Sequence, residues 1–131
     1  MGRMTQPYAP EQKTRAEVDA LPGLALLEFG TNWCGICKGT QPAMAEALAD
    51  APAALQHIKV EDGSGRPLGR SFGVKLWPTL VFLRDGAEVS RVVRPASADA
   101  IRDAMAAAHA MRRNMKNAPA ARRGAVPAFP N

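Results

Sequence analysis

The sequence predicts a single α/β domain built on a central mixed sheet of about four strands, and three observations carry that expectation. A short apolar run, Leu24 to Phe29, is bounded by Gly23 and Gly30 and leads into a stretch of helical composition. A second strand-like segment follows that stretch, the order a parallel crossover requires. The Asp85-Gly86 pair then separates two β-prone runs, a strong short-range hairpin signal. With 131 residues the chain has room for one domain and little else. Hydrophobic residues are 47% and charged residues 22%, which disfavours global disorder and low-complexity architectures.

Taken in order, Glu11 to Ala20 offers helix formers between Pro10 and the Pro22-Gly23 breaker, so a short first helix is expected there. Leu24 to Phe29 is a short run, apolar except for Glu28, which suits a strand covered on both faces. Ile36 to Asp50 reads as a helix, with Ala43, Met44, Ala47 and Leu48 on neighbouring turns and Pro42 placed to bend the axis. Leu55 to Val60 is the second strand, and Leu68 to Phe72 a helical turn among glycines. Thr79 to Leu83 and Glu88 to Val93 form the antiparallel pair around Arg84-Asp85-Gly86-Ala87. Ser97 suits an N-cap and Asp99 the first turn of a last helix, whose stripe of Ile101, Ala104, Met105 and Ala108 runs to about Met111 and covers one sheet face.

Seventeen basic and twelve acidic residues leave a net charge of +5, all of it at one end. Residues 1–110 balance, whereas 111–131 hold Arg112, Arg113, Lys116, Arg122 and Arg123 with no acid. With Pro119, Pro127, Pro130 and little apolar periodicity, this segment is expected to be a basic, flexible C-terminal tail following a domain of residues 1–110. Phe129 is its lone aromatic, so base stacking has no support and nucleic-acid binding is disfavoured. The longest good apolar stretch stops at Glu28, far short of the roughly 18 residues that span a membrane. The N-terminal residues lack the apolar core of a secretory leader, so a cytoplasmic protein with no membrane partner is expected.

The chemistry concentrates in Trp33-Cys34-Gly35-Ile36-Cys37-Lys38, where the only two cysteines stand between the first strand and the following helix. A bridge between them would close too small a loop to staple the fold, because cross-link stabilisation grows with loop size. At a helix N-terminus the unpaired N–H groups and the macrodipole favour an anion, which points to Cys34 as the nucleophile. Cys37, one turn inside, is placed to attack a mixed disulfide on Cys34 and so to act as the resolving thiol. A metal site would need two further soft ligands, and His57 and His109 stand at no zinc-finger spacing; both read as ordinary surface or packing residues.

Over roughly Leu24 to Ala108 the chain resembles the thioredoxins. The resemblance rests on Glu28-Phe29 before the cysteine motif, Pro42 in the next helix, Lys59, Trp77-Pro78-Thr79 and the Asp85-Gly86 hairpin. It implies helices on both faces of the sheet and a cis Pro78 packed against the cysteine pair. It also implies that a client strand pairs beside Cys34 along Pro78 and the backbone of Trp77, with Trp33 as an apolar lip. Trp33, Gly35, Ile36, Trp77, Pro78 and Arg94 are then the residues expected to meet substrate; core packing is the usual fate of tryptophan, but the placement of Trp33 and Trp77 beside two matched motifs favours a role in the groove. Glu28 falls where the family has a buried acid that helps deprotonate the resolving cysteine, and Lys59 where a lysine accompanies it. Burial would raise the carboxyl of Glu28 while the Lys59 ammonium would oppose that rise.

Three departures from the family pattern bear on detail. Ile36 stands where a proline is common, which bears on the redox potential; Trp77 is larger than the usual small aliphatic residue; and Arg94 occupies a place where many relatives have glycine. The resemblance implies a protein-disulfide reductase with no bound metal or organic cofactor. Its partners would be disulfide-containing protein clients and a separate electron donor of the thioredoxin-reductase type, and the chain is expected to act as a monomer. Competing readings are a redox-gated adaptor that recruits a partner through its basic tail, and a disulfide oxidase or isomerase of higher potential.

Overall fold

The computed structural model describes residues 7–10 and 13–117. In chain order they form β1 (Ala9–Pro10), α1 (Arg15–Asp19), β2 (Leu24–Gly30), α2 (Gly35–Leu48), β3 (Gln56–Glu61), α3 (Pro67–Ser71), β4 (Thr79–Arg84), β5 (Ala87–Val93) and α4 (Ala98–Asn117). The sheet runs β1-β3-β2-β4-β5. β3 is parallel to β1 and β2, while β4 is antiparallel to β2 and β5. The four expected strands are all present, and the two-residue β1 extends the sheet beyond them.

Strand alternation divides the core in two. Leu24, Leu26, Leu80 and Phe82 face α2 and α4, meeting Met44, Ala47, Leu48, Ile101, Met105 and Ala108. Ala25, Leu27, Phe29, Val81 and Leu83 face the other side and meet Val18 of α1 with Leu68 and Phe72 around α3. Helices on both faces explain why every residue of β2 is buried, including Glu28. This sets up the site: a carboxylate on the even-numbered side of β2 points into the layer that holds α2.

Local chemistry sets the element ends. α1 starts later than composition alone suggests, because Thr14 caps it in a reciprocal box with Glu17. The Ser97 hydroxyl accepts the Ala100 N–H at the start of α4. That helix continues past Met111 to Asn117, so residues 111–117 of the expected tail extend a helix, while 118–131 lie outside the described residues. The β4–β5 hairpin turns on Asp85 (φ 52°) and Gly86 (φ 83°), the pair of positive φ values that a two-residue type I′ turn needs. At Gly86 a Cβ would lie 1.8 Å from the Asp19 carbonyl oxygen. Gly86→Ala is therefore expected to cost about 2–3 kcal/mol, from backbone strain and overpacking together. A urea midpoint unchanged from wild type would contradict this.

Candidate active site

β2 ends at Gly30, and the chain passes through Thr31-Asn32-Trp33 into α2, where Cys34 is the N-cap and Gly35 the first helical residue. The Cys37 backbone N–H donates to Cys34 Sγ at 3.2 Å, so charge on that sulfur meets a helix-terminal donor. Both cysteines are reduced; Cys34 is partly exposed, whereas Cys37 has no exposed surface. Burial pushes the Cys37 thiol up to about 12, assisted by its hydrogen bond with Cys34 and opposed by the backbone of Thr31. Gly35 and Ile36 are exposed beside Cys34, and a Cβ on Gly35 would meet nothing within 4 Å.

Beneath the cysteines lies a buried polar network centred on Glu28. The Tyr8 hydroxyl donates to Glu28 Oε2, and the Gln41 amide donates to the same oxygen at 3.0 Å. His57 Nε2 sits 2.8 Å from Glu28 Oε1, with its side chain only 3% exposed. Lys59 Nζ reaches the carboxylate through Gln41, donating to its Oε1 at 3.1 Å, and lies 4.6 Å from the centre of the Tyr8 ring. The strand register explains the assembly: Leu26 pairs with His57 and Glu28 with Lys59 on the neighbouring parallel strand, so all three polar side chains share one face.

Burial pushes the Glu28 carboxyl up, but hydrogen bonds from His57 and Tyr8, the Lys59 charge and the Gln41 amide together hold it below its ordinary value. The expected opposition between burial and Lys59 is present, and the balance falls on the low side because the site also supplies hydrogen-bonding partners to the ionised form. The reading of His57 as an ordinary surface or packing residue is corrected as well.

The opposite wall comes from the loop before β4. The Trp77-Pro78 peptide is cis. The Trp77 ring meets the exposed Trp33 ring edge-on at 5.6 Å, and its Nε1 donates to Asp62 Oδ2 at 2.8 Å. This contact joins the cysteine loop to the proline loop and holds Trp33, 70% exposed, as a rim. Arg94 takes a left-handed backbone (φ 50°), donates its N–H to the Pro78 carbonyl at 2.9 Å, and donates Nε to the Trp77 carbonyl at 2.9 Å. The residues expected on the rim therefore gather in two contacting loops, with Glu28 and Lys59 in the layer below.

Sequence reasoning missed Tyr8, Asn32, Gln41 and His57. Asn32 clamps the N-terminal segment, accepting the Tyr8 N–H at 2.7 Å and donating to the Tyr8 carbonyl at 3.0 Å. The i, i+4 spacing of Cys37 and Gln41 was a usable signal for one of these, since it puts both on one face of α2. Nothing local marked Tyr8, whose place depends on the pairing of the adjoining strand with a distant one, Ala9 against Val60.

Comparison with known proteins agrees with this geometry. A thioredoxin family model matches residues 9–107. The thioredoxin of Chlamydia muridarum is 43% identical over 72 residues, 54% of this chain and 69% of that protein. Protein disulfide-isomerase A3 of Gallus gallus is 35% identical over 80 residues, 61% of this chain and 16% of that protein. The solved structure of reduced thioredoxin 2 from Pseudomonas aeruginosa superposes with a TM-score of 0.73 at 54% identity, covering 81% of this chain and 97% of that one.

Proposed function

The chain belongs to the thioredoxin family of thiol-disulfide oxidoreductases, and from that premise we propose that it reduces protein disulfides by dithiol exchange, with Cys34 as nucleophile and Cys37 as resolving thiol. The observation that carries this reading is the unequal placement of two reduced cysteines on one helix turn. The first is partly exposed at the N-cap and accepts an amide, and the second is fully buried one turn inside. Cys34 attacks a client disulfide and releases one client thiol. Cys37 then attacks Cys34 and releases the other, leaving an internal disulfide and two electrons delivered to the client.

Trp33, Gly35, Ile36, Trp77, Pro78 and Arg94 would form the docking rim, with the client strand pairing along the proline loop. Such a strand finds the Trp77 carbonyl already engaged by Arg94, so it pairs through other groups or displaces that guanidinium. Glu28 and Lys59 would serve the proton transfer at Cys37. A separate reductase of the thioredoxin-reductase type would restore the dithiol. The redox unit would span residues 1–110 and work as a monomer in the cytoplasm, followed by the basic segment 111–131. Among the described residues no helix is long and apolar enough to cross a membrane.

The test is insulin reduction with dithiothreitol, followed by turbidity. Wild type is expected to shorten the lag, and a lag equal to the uncatalysed control would overturn the reading. Equilibration against glutathione sets the direction: a strongly reducing couple fits a reductase, an oxidising one an oxidase or isomerase, and 30 mV corresponds to about 1.4 kcal/mol for two electrons.

A further inference from the structure

The buried network holds a group that a pair of cysteines and a carboxylate do not by themselves require. Tyr8 is 5% exposed and its hydroxyl donates to Glu28 Oε2. Its ring also lies against the resolving cysteine: a Cβ at Gly30 would sit 2.7 Å from Cys37 Sγ and 2.8 Å from Tyr8 Cζ. Only a residue without a side chain lets thiol and phenol close over the end of β2. Asn32 then fixes Tyr8 from the loop that carries Cys34, through both backbone hydrogen bonds.

We propose that the Tyr8 hydroxyl is a catalytic proton relay, carrying the Cys37 proton to Glu28 when the mixed disulfide is resolved. The inference rests on the dithiol-exchange reading above and names a further residue for it. As Cys37 Sγ attacks Cys34 Sγ, the thiol proton passes to the Tyr8 oxygen while the phenol proton passes to Glu28 Oε2. The Cys34–Cys37 bond forms and the Cys34–client bond breaks. The client sulfur leaves with the bonding pair and takes its proton from solvent. The phenol ends neutral, and the carboxyl then gives the proton up to solvent, because its partners hold it below its ordinary value.

The electrostatics suit a relay. Burial, the Glu28 charge and the Glu28 hydrogen bond drive the phenol far above its usual range, so it passes protons without itself ionising. Cys34 raises the Cys37 thiol through a hydrogen bond and through charge, whereas Tyr8 lowers it. Once Cys34 is tied up in a mixed disulfide, its hydrogen bond and charge no longer hold the Cys37 proton, while the Tyr8 contact remains. The groups facing the Glu28 carboxylate are Tyr8 beside β1, Gln41 of α2, and His57 and Lys59 of β3. The Lys59 charge and the hydrogen bonds keep the carboxylate ionised, and so free to accept, until the proton arrives.

The experiment separates the two chemical steps. Reduced protein mixed with 5,5′-dithiobis(2-nitrobenzoate) releases one thionitrobenzoate as Cys34 is derivatised and a second as Cys37 resolves the adduct, both followed by stopped-flow absorbance. Tyr8→Phe is expected to leave the first release within about twofold of wild type and slow the second about 100-fold, the scale of lost general acid–base assistance. Its second-release pH profile should also differ from that of wild type. Equal slowing of both releases, or an unchanged second release, would overturn the relay.

Because the chain has a single tyrosine, growth on 3-fluorotyrosine alters this phenol alone and removes no contact. The second release should then change by at least about threefold and the first should not. A flat response overturns the relay even if Tyr8→Phe fails to fold. Failure of wild type in the insulin assay would count against the reductase reading, whereas intact insulin reduction with a Tyr8-independent second release would count against Tyr8 only.

Discussion

Cys37→Ser is expected to convert the protein from a turnover catalyst into a covalent trap, with steady-state insulin reduction falling below about a thousandth of wild type. Cys34 remains partly exposed at the N-cap in that variant, so a client disulfide can still be attacked. The group that would release the client is gone, and the serine hydroxyl introduced in its place is too weak an acid to replace a thiol. Mass spectrometry of protein incubated with an oxidised client should find the adduct on Cys34. Cys34→Ser should lose turnover as completely but trap nothing, because the remaining cysteine has no exposed surface. Adducts on Cys37 in the Cys34→Ser variant, or none on Cys34 in the Cys37→Ser variant, would refute the assigned division of labour.

Glu28→Ala should produce the largest loss of stability. It removes the acceptor of Tyr8 and Gln41 and the partner of His57, leaving buried polar groups without their counterpart and a cavity beneath α2. Breaking a buried charged network by removing one partner costs about 3–5 kcal/mol, a large share of the roughly 5–15 kcal/mol typical of a whole domain.

The loss has a pH signature. The Glu28 carboxyl is held below its ordinary value of 4.5 in the folded protein. The stability contributed by its ionised form is therefore present above the unfolded value and lost as pH falls through the lower folded one. Urea unfolding should show a gap between wild type and Glu28→Ala that is constant from neutrality to about pH 5.5 and narrows at more acid pH. A gap below about 1 kcal/mol at pH 7, or one that widens on acidification, would show that the network is not held by the carboxylate.

The parts of the site that were legible in the sequence are those whose chemistry is local. Cys34 and Cys37 could be placed at a helix start because a strand, a glycine and a helical stretch follow one another within a few residues. The Asp85-Gly86 turn was legible for the same reason, since positive φ at two consecutive positions favours few residue types. The sign of the Glu28 shift was not legible: burial and Lys59 could be named in advance, but the outcome depends on hydrogen bonds from His57, Tyr8 and Gln41, which come from three different parts of the chain.

From its sequence alone, this protein is determined as a mixed α/β sheet with two cysteines one helical turn apart at the end of a buried strand. Apolar period, turn chemistry and helix signals act over a few residues and need no partner to be read. Only the tertiary structure decided that Tyr8, Gly30 and Cys37 close on one another, that His57 leaves the surface for Glu28, and that Arg94 holds the Trp77 carbonyl. Those contacts join residues far apart along the chain, and a single residue of strand register moves such side chains to the opposite face of the sheet.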